Sequence, residues 1–142
     1  MRHPKDIGDR STLAIMYALQ LQGHPILMPF GENTRYDLVI DTGVGLRRVQ
    51  CKTGRLRCGG VNFPTCSSYA HHPNPKMINR GYVGEVDDFG VFCPELGSVY
   101  LIPIEDVSGK RMATLRVDPP RNNQRQRIRL AARYEIARFE VL

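Results

Sequence analysis

Three polar side chains in the first half of the chain have types and spacing that suit a divalent-cation site. Gln50 and Lys52 stand two residues apart in the segment Leu46–Thr53, and Asp37 stands near the start of the segment Tyr36–Asp41. Side chains along a strand alternate between its faces, so Gln50 and Lys52 are expected to point the same way. Because directly paired residues of a hairpin lie about 5 Å apart, we expect Asp37 to lie near Gln50.

A carboxylate, an amide oxygen and an ammonium on one patch indicate metal-assisted hydrolysis. Oxygen ligands suit a hard divalent ion such as Mg²⁺. A lysine beside the ion orients or deprotonates a water, while the ion stabilises charge on the transition state of a phosphate ester. Each residue also has an ordinary explanation, since an Asp at a strand start is commonly a cap and a Gln-x-Lys pair is commonly solvated. The joint spacing and the arginine content favour the site.

The elements that must position these residues follow from hydrophobic periodicity. The segments Tyr36–Asp41 and Leu46–Thr53 are predicted to be strands joined into a hairpin by the turn at 42–45. Ahead of them, Ser11–Gln22 is predicted to be a helix that ends at Gly23. The apolar stripe of that helix is predicted to consist of Leu13, Met16, Tyr17 and Leu21.

The remaining segments predict an α/β fold with a mixed sheet. The polar segment Ser67–Gly81 is predicted to be a loop, and Ile128–Arg138 a short final helix. Further strands are predicted near Pro25–Phe30, Val61–Thr65, Phe89–Cys93, Val99–Ile104 and Ala113–Val117. The length of 142 residues suits a single domain spanning residues 1–142.

Composition excludes several classes of protein. Apolar residues make up 42% and charged residues 24%, which is typical of a globular domain and unlike a disordered chain. There is no apolar run of the ~20 residues that a membrane-spanning helix needs, and the start of the chain lacks the pattern of a secretion signal. We therefore expect a cytoplasmic protein with no membrane partner.

The charge is positive and concentrated near the C-terminus. Twenty Lys and Arg residues against fourteen Asp and Glu give a net charge of +6, and sixteen of the twenty are Arg. The segment Lys110–Arg133 alone carries +7, which leaves −1 on the rest of the chain. A basic segment on an otherwise balanced domain is typical of a protein that binds a polyanion, although a solvated arginine-rich tail would have the same composition.

The cysteines leave a second kind of metal site open. None of the four forms a CxxC pair, and free thiols are the expected state in a chain with no secretion signal. A Cys/His metal-binding protein with an arginine-rich tail stays as an alternative, with ligands drawn from Cys58, Cys66, His71 and His72. The acidic run of Glu85, Asp87 and Asp88 is predicted to be a solvated strand end and not a ligand set.

The motif around Asp37 and Lys52 resembles the PD-(D/E)XK nuclease superfamily. The resemblance is carried by Tyr36–Asp41 followed by Val49–Arg55. Within the superfamily, the chain most resembles small endonucleases that carry Gln at the acidic position of the motif. That group includes a homing endonuclease of a cyanobacterial group I intron. The resemblance extends through Pro29–Asp37, Thr65–Tyr69, Tyr82–Asp87, Cys93–Glu95, Val99–Ile104 and Arg116–Gln124.

The resemblance implies a restriction-endonuclease-like fold, a mixed sheet flanked by helices, and Mg²⁺-dependent hydrolysis of double-stranded DNA, with Mn²⁺ as a substitute ion. It implies that Asp37 is the metal-binding carboxylate and that Lys52 lies near the attacking water. Gln50 would contribute its amide oxygen or position a water, and the carbonyl of Cys51 would be a further ligand. Such nucleases assemble as dimers or tetramers, so a homo-oligomer is expected.

Thr12 departs from the pattern of the family. Members often carry a Glu on the first helix, and the segment Gly8–Ala14 places Thr12 at that position. A hydroxyl does not supply the charge that a carboxylate gives a metal, although Asp9 lies one helical turn earlier. The alternative function is therefore a catalytically weakened nuclease fold that binds DNA without cutting it.

Polar residues after Pro119-Pro120 are the predicted DNA contacts, because Arg reads guanine edges, Asn and Gln read adenine, and all three bind phosphates. These residues are Arg121, Asn122, Asn123, Gln124, Arg125 and Arg127. Arg55 and Arg57, directly after the motif strand, are predicted to hold phosphates. A surface arginine set that supports the fold or a subunit interface is the ordinary explanation.

Overall fold

The computed structural model describes residues 3–31, 33–70, 77–107, 109, 111–118 and 128–140. One α-helix and three sheets make up the described part of the chain. The helix α1 spans Pro4–Leu21. The strands are β1 (Ile26–Leu27), β2 (Leu38–Asp41), β3 (Leu46–Thr53), β4 (Arg55–Arg57), β5 (Gly60–Pro64), β6 (Cys66–Ala70), β7 (Met77–Gly81), β8 (Asp88–Cys93), β9 (Ser98–Pro103), β10 (Met112–Arg116) and β11 (Glu135–Arg138).

The main sheet is mixed, as predicted. Its strand order is β1-β2-β3-β8-β9-β11, in which only the β3–β8 pair is parallel. The predicted hairpin is confirmed, because β2 pairs antiparallel with β3 and Leu38 lies opposite Val49. A three-stranded sheet in the order β10-β5-β4 and the hairpin β6–β7 complete the fold.

The helix α1 begins seven residues earlier than predicted. Pro4 occupies its first turn, and the His3 side chain caps it by accepting a hydrogen bond from the Lys5 amide at 3.2 Å. The predicted end at Gly23 is confirmed: this residue has a φ of 85°, and its amide donates to the carbonyl of Gln20.

The face that α1 buries differs from the predicted apolar stripe. Leu13, Tyr17 and Leu21 are 66%, 56% and 57% exposed. The buried positions are Ser11, Ile15, Ala18 and Leu19. Of the predicted stripe, Met16 alone packs against the core among the described residues, and it is half-buried. Gly90 of β8 allows the helix to lie close to the sheet, because a Cβ atom at this position would lie 2.7 Å from Cγ2 of Ile15.

A second core fills the opposite face of the main sheet, beneath the three-stranded sheet. Val61 and Phe63 of β5 pack there with Phe89 and Val91 of β8. The rings of Phe63 and Phe89 meet edge to face, with centroids 5.8 Å apart. The main sheet is thus covered on both faces.

Besides β4, which was not predicted, two segments that were predicted to have other structures form strands. The predicted loop Ser67–Gly81 instead contains β7 and most of β6, which pair as an antiparallel hairpin. The predicted helix at Ile128–Arg138 is a single 3₁₀ turn, Ala131–Arg133, followed by β11. In the second case β9 offers a free edge, so pairing with that edge outweighs local helix preference.

None of the described helices has the length and apolar character that crossing a bilayer would require.

Candidate active site

Asp37 is the residue directly before β2. Its amide donates to the carbonyl of Val49 at 2.9 Å, although Val49 is already the partner of Leu38, so the β2–β3 register is interrupted at Asp37. Its carboxylate Oδ2 accepts the amide hydrogen of Cys51 at 2.8 Å. The predicted neighbourhood of Asp37 and the motif strand is therefore confirmed.

The alternation of β3 places Gln50 and Lys52 on the face away from the helix. Thr53 faces α1, because its hydroxyl lies 2.6 Å from that of Ser11. Cys51 packs against the same helix-side core. On the opposite face, Lys52 Nζ donates to Tyr82 Oη at 3.0 Å and to the Cys66 carbonyl at 3.5 Å. The three motif side chains at 37, 50 and 52 are half-buried.

Burial is the largest influence on the carboxylate of Asp37. It raises the pKa of Asp37 above its ordinary value, and the Cys51 amide and the Lys52 charge offset only part of that rise. Of the described residues, none donates a hydrogen bond to Oδ1, the second carboxylate oxygen. A buried carboxylate with one unused oxygen is a group that a bound cation would stabilise.

Cys51 contributes its backbone to the site. Burial and the nearby charge of Asp37 raise the pKa of the Cys51 thiol well above its usual range, so the thiol stays protonated and is a poor ligand and nucleophile. The Thr12 hydroxyl contacts this thiol and donates to the Gly8 carbonyl at 3.1 Å. Thr12 thus lies on the helix side of β3, behind Cys51.

The donor set fits a Mg²⁺ ion that is bound by one carboxylate. Asp37 Oδ1, the Gln50 amide oxygen and the Cys51 carbonyl are all hard oxygen donors. Mg²⁺ commonly keeps several waters and binds one or two carboxylates together with substrate phosphates. Among the described residues, no group of three His, Cys, Asp or Glu side chains forms a metal site. For the Cys/His alternative, His71 and His72 lie outside the described residues.

The predicted phosphate ligands lie on an exposed strand next to the motif. Arg55 and Arg57 share one face of β4 and are exposed. Arg55 Nη1 is 3.2 Å from Glu95 Oε1, so part of its charge is already paired. The other predicted DNA contacts, which span residues 121–127, lie outside the described residues.

The acidic run of Glu85, Asp87 and Asp88 forms ion pairs, and its description as a solvated strand end is wrong for Asp88. The side chain of Asp88 is 3% exposed and binds the Arg47 guanidinium with both oxygens, at 2.7 and 2.9 Å. Asp87 pairs with Arg48, and Glu85 with Arg35. These acids are engaged by arginines, in agreement with the prediction that they are not ligands.

The sequence did not indicate Tyr82 or Arg35 as part of the site. Tyr82 is 4% exposed, touches Lys52 and carries the Arg35 guanidinium over its ring. A buried tyrosine has the same sequence signature whether it fills the core or meets a functional lysine. No pattern of spacing could therefore have distinguished the two.

Comparison with known proteins confirms the resemblance to PD-(D/E)XK nucleases. Residues 2–137 match a family model described as PD-(D/E)XK endonuclease. The solved structure of a bacterial homing endonuclease, I-Ssp6803I, is similar with a TM-score of 0.71 and 26% sequence identity, over 94% of this chain and 89% of that chain. No curated protein is significantly similar in sequence. The restriction-endonuclease-like mixed α/β fold is therefore confirmed.

Proposed function

The chain belongs to the PD-(D/E)XK endonuclease family, and we propose that it is a divalent-metal-dependent endonuclease that hydrolyses phosphodiester bonds of double-stranded DNA. The observation that carries this proposal is the 2.8 Å hydrogen bond from the Cys51 amide to the Asp37 carboxylate. That bond holds the acid of one strand against the Gln50–Lys52 segment of the next.

Asp37 Oδ1, the amide oxygen of Gln50 and the carbonyl of Cys51 are the proposed ligands of Mg²⁺, with Mn²⁺ as a substitute. Such an ion supplies charge stabilisation to the phosphate in the transition state and lowers the pKa of a bound water. The role of the protein is to hold the three oxygens in place. The amide of Cys51 keeps Oδ2 occupied, so Asp37 presents Oδ1 in one orientation.

Lys52 is the proposed partner of the attacking water. Its ammonium has three N–H donors, of which Tyr82 Oη and the Cys66 carbonyl accept two. The third donor is then available for a water or for a phosphate oxygen. In that position Lys52 orients the water and stabilises negative charge that develops on the phosphate.

DNA is the proposed substrate because a basic surface accompanies the site. Arg55 and Arg57 follow the motif strand with exposed side chains, and the chain carries a net charge of +6. The similar bacterial protein is a homing endonuclease, which supports an endonuclease of the homing or mobile-element type. Binding through phosphates predicts that affinity falls steeply with salt concentration.

A homo-oligomer is the proposed assembly, a dimer or a tetramer. One chain offers one candidate site, whereas a duplex has two strands to cut. The exposed apolar stripe of α1, formed by Leu13, Tyr17 and Leu21, is a surface that a second copy would cover.

A plasmid assay tests the proposed activity. Purified protein is incubated with supercoiled plasmid in Mg²⁺, Mn²⁺, Ca²⁺ or EDTA, and nicked and linear products are measured. We expect cleavage in Mg²⁺ and Mn²⁺, none in EDTA, and a loss of at least 100-fold in Lys52→Ala, in the range seen when a residue that stabilises transition-state charge is removed. Plasmid binding without cleavage in any of the metals would contradict the proposal.

A DNA-binding module that does not cut is the second candidate, and Thr12 is the observation that favours it. The Thr12→Glu variant separates the two, since a carboxylate at this position would add a charge next to Cys51, whose amide binds Asp37. A weakened enzyme should gain cleavage activity and Mg²⁺ affinity. Gln20→Glu, an exposed change on the same helix, is the matched control and should alter neither.

A further inference from the structure

Lys52 ends beside a buried tyrosine. Its Nζ donates to the hydroxyl oxygen of Tyr82 at 3.0 Å and lies 4.8 Å from the centre of the Tyr82 ring. Tyr82 lies at the turn that follows β7 and is 4% exposed. A lysine on a flexible four-carbon stem is therefore held at its charged end by a ring that is itself inside the protein.

The ring of Tyr82 is fixed by residues that neighbour the rest of the motif. The Arg35 guanidinium carbon lies 4.0 Å from the ring centre, and Arg35 precedes Asp37 by two residues. Phe89 meets the ring edge to face at 5.7 Å and 86°. Phe89 is also the strand partner of Gln50 in the β3–β8 pair. One side chain thus touches Lys52 and the neighbours of both Asp37 and Gln50.

Each nitrogen of the Arg35 guanidinium makes a hydrogen bond to a described residue. Its Nε lies 2.6 Å from Glu85 Oε2, its Nη1 donates to Ser67 Oγ at 2.6 Å, and its Nη2 donates to the Gly81 carbonyl at 2.9 Å. These bonds fix the plane of the guanidinium, which packs over the tyrosine ring. The orientation of Tyr82 is therefore determined before any ligand binds.

We propose that Tyr82 is a positioning residue for phosphodiester hydrolysis, whose hydroxyl oxygen holds Lys52 Nζ in the orientation that the reaction uses. This inference rests on the proposed endonuclease function. Holding a catalytic group in place in advance affects the rate of the chemical step more than the affinity for substrate. Loss of the Tyr82 hydroxyl should therefore lower the cleavage rate and leave DNA binding unchanged.

The test compares Tyr82→Phe with Tyr134→Phe. Each change deletes one phenolic hydroxyl and keeps the ring; the hydroxyl of Tyr134 donates to Asp106 at 2.9 Å. Three quantities are measured: the single-turnover rate of plasmid cleavage in Mg²⁺ at saturating protein, the Kd for DNA in Ca²⁺, and the side-chain order parameter of Lys52 by NMR. The chain has four lysines, so each signal is assigned with a Lys→Arg variant.

We expect Tyr82→Phe to cleave about tenfold more slowly, the scale of one hydrogen bond. Its Kd should stay within about twofold of wild type, and the Lys52 side chain should become more mobile. Tyr134→Phe should match wild type in all three measurements. An unchanged rate or an unchanged Lys52 order parameter in Tyr82→Phe would overturn the positioning role alone. Absence of cleavage by wild type would overturn the endonuclease function and the positioning role with it.

Discussion

The carboxylate of Asp37 lies in a position that is unfavourable for the folded protein without a cation. Burial raises its pKa, and the two groups that favour its ionised form, the Cys51 amide and the Lys52 ammonium, do not offset that effect. A functional group is commonly kept at such a cost in stability. The cost should be measurable, because ionisation of Asp37 then opposes folding.

The Asp37→Asn variant should be more stable than wild type at neutral pH. The folded-state pKa of Asp37 is raised, so wild type is fully stable below the unfolded-state pKa and loses stability as pH rises through the folded-state value. Asparagine can still accept the Cys51 amide hydrogen and avoids that loss. Thermal unfolding from pH 3 to pH 8 should show a higher Tm for the variant at pH 7, with the difference disappearing at the acid end.

The matched control is Asp87→Asn, for which the sign is opposite. The hydrogen bond from Arg48 lowers the pKa of Asp87, so its ionisation favours folding above the unfolded-state pKa, and that contribution is lost as pH falls through the folded-state value. The control should have a lower Tm than wild type at pH 7. A decrease in Tm for Asp37→Asn at pH 7 would contradict the account of the buried carboxylate.

At the scale of elements, the parallel pair β3–β8 holds the motif strand in register. Two consecutive arginines of β3 reach two consecutive acids at the start of β8. Arg47 binds Asp88, whose side chain is 3% exposed, and Arg48 binds Asp87, whose side chain is 32% exposed. The same type of pair therefore occurs once in a buried and once in a solvated setting.

The two pairs should differ in their contribution to stability. Arg47→Ala leaves the buried carboxylate of Asp88 without its partner, and we expect a loss of about 2–3 kcal/mol in the free energy of unfolding. Arg48→Ala removes a solvated pair and should cost less than about 1 kcal/mol. Urea unfolding of both variants measures the difference. Equal losses of stability would contradict the conclusion that the Arg47–Asp88 pair contributes more than the Arg48–Asp87 pair.

The elements differ in how far local sequence determines them. The hairpin of β2 and β3 was predictable, because two short segments rich in strand-forming residues flank a glycine-containing turn. β6 and β7 were not, since their polar sequence lacks alternation and their backbones pair only with each other. β11 was missed because the edge of β9, and not its own sequence, makes it a strand.

The site shows the same division. The shared face of Gln50 and Lys52 was predictable because side chains two residues apart on a strand point the same way. Tyr82 comes from a turn thirty residues after Lys52, and contact across that distance is set by packing alone. The buried face of α1 was also mispredicted, because the choice of the face that packs depends on the space that Gly90 leaves on the sheet.

At the scale of the whole molecule, the exposed apolar stripe of α1 distinguishes a monomer from an assembly. Light scattering on a size-exclusion column should give a mass that is a multiple of 16.1 kDa. Leu13→Glu combined with Leu21→Glu should reduce the mass to that of one chain, because two charges would be buried in the interface without partners. Gln22→Glu, at the exposed C-cap of the same helix and away from the stripe, should leave it unchanged, and a monomeric wild type would contradict the proposed assembly.

The most direct test of the proposed active site compares cleavage by Asp37→Asn and Asp41→Asn. Both acids lie at the ends of one short strand, but the carboxylate of Asp41 accepts the Gly43 amide hydrogen in the hairpin turn, away from Lys52. Single-turnover plasmid cleavage in Mg²⁺ should fall at least 100-fold in Asp37→Asn, with DNA affinity retained, and should stay near the wild-type rate in Asp41→Asn. Cleavage by Asp37→Asn at the wild-type rate would contradict the assignment of the active site to Asp37, Gln50 and Lys52.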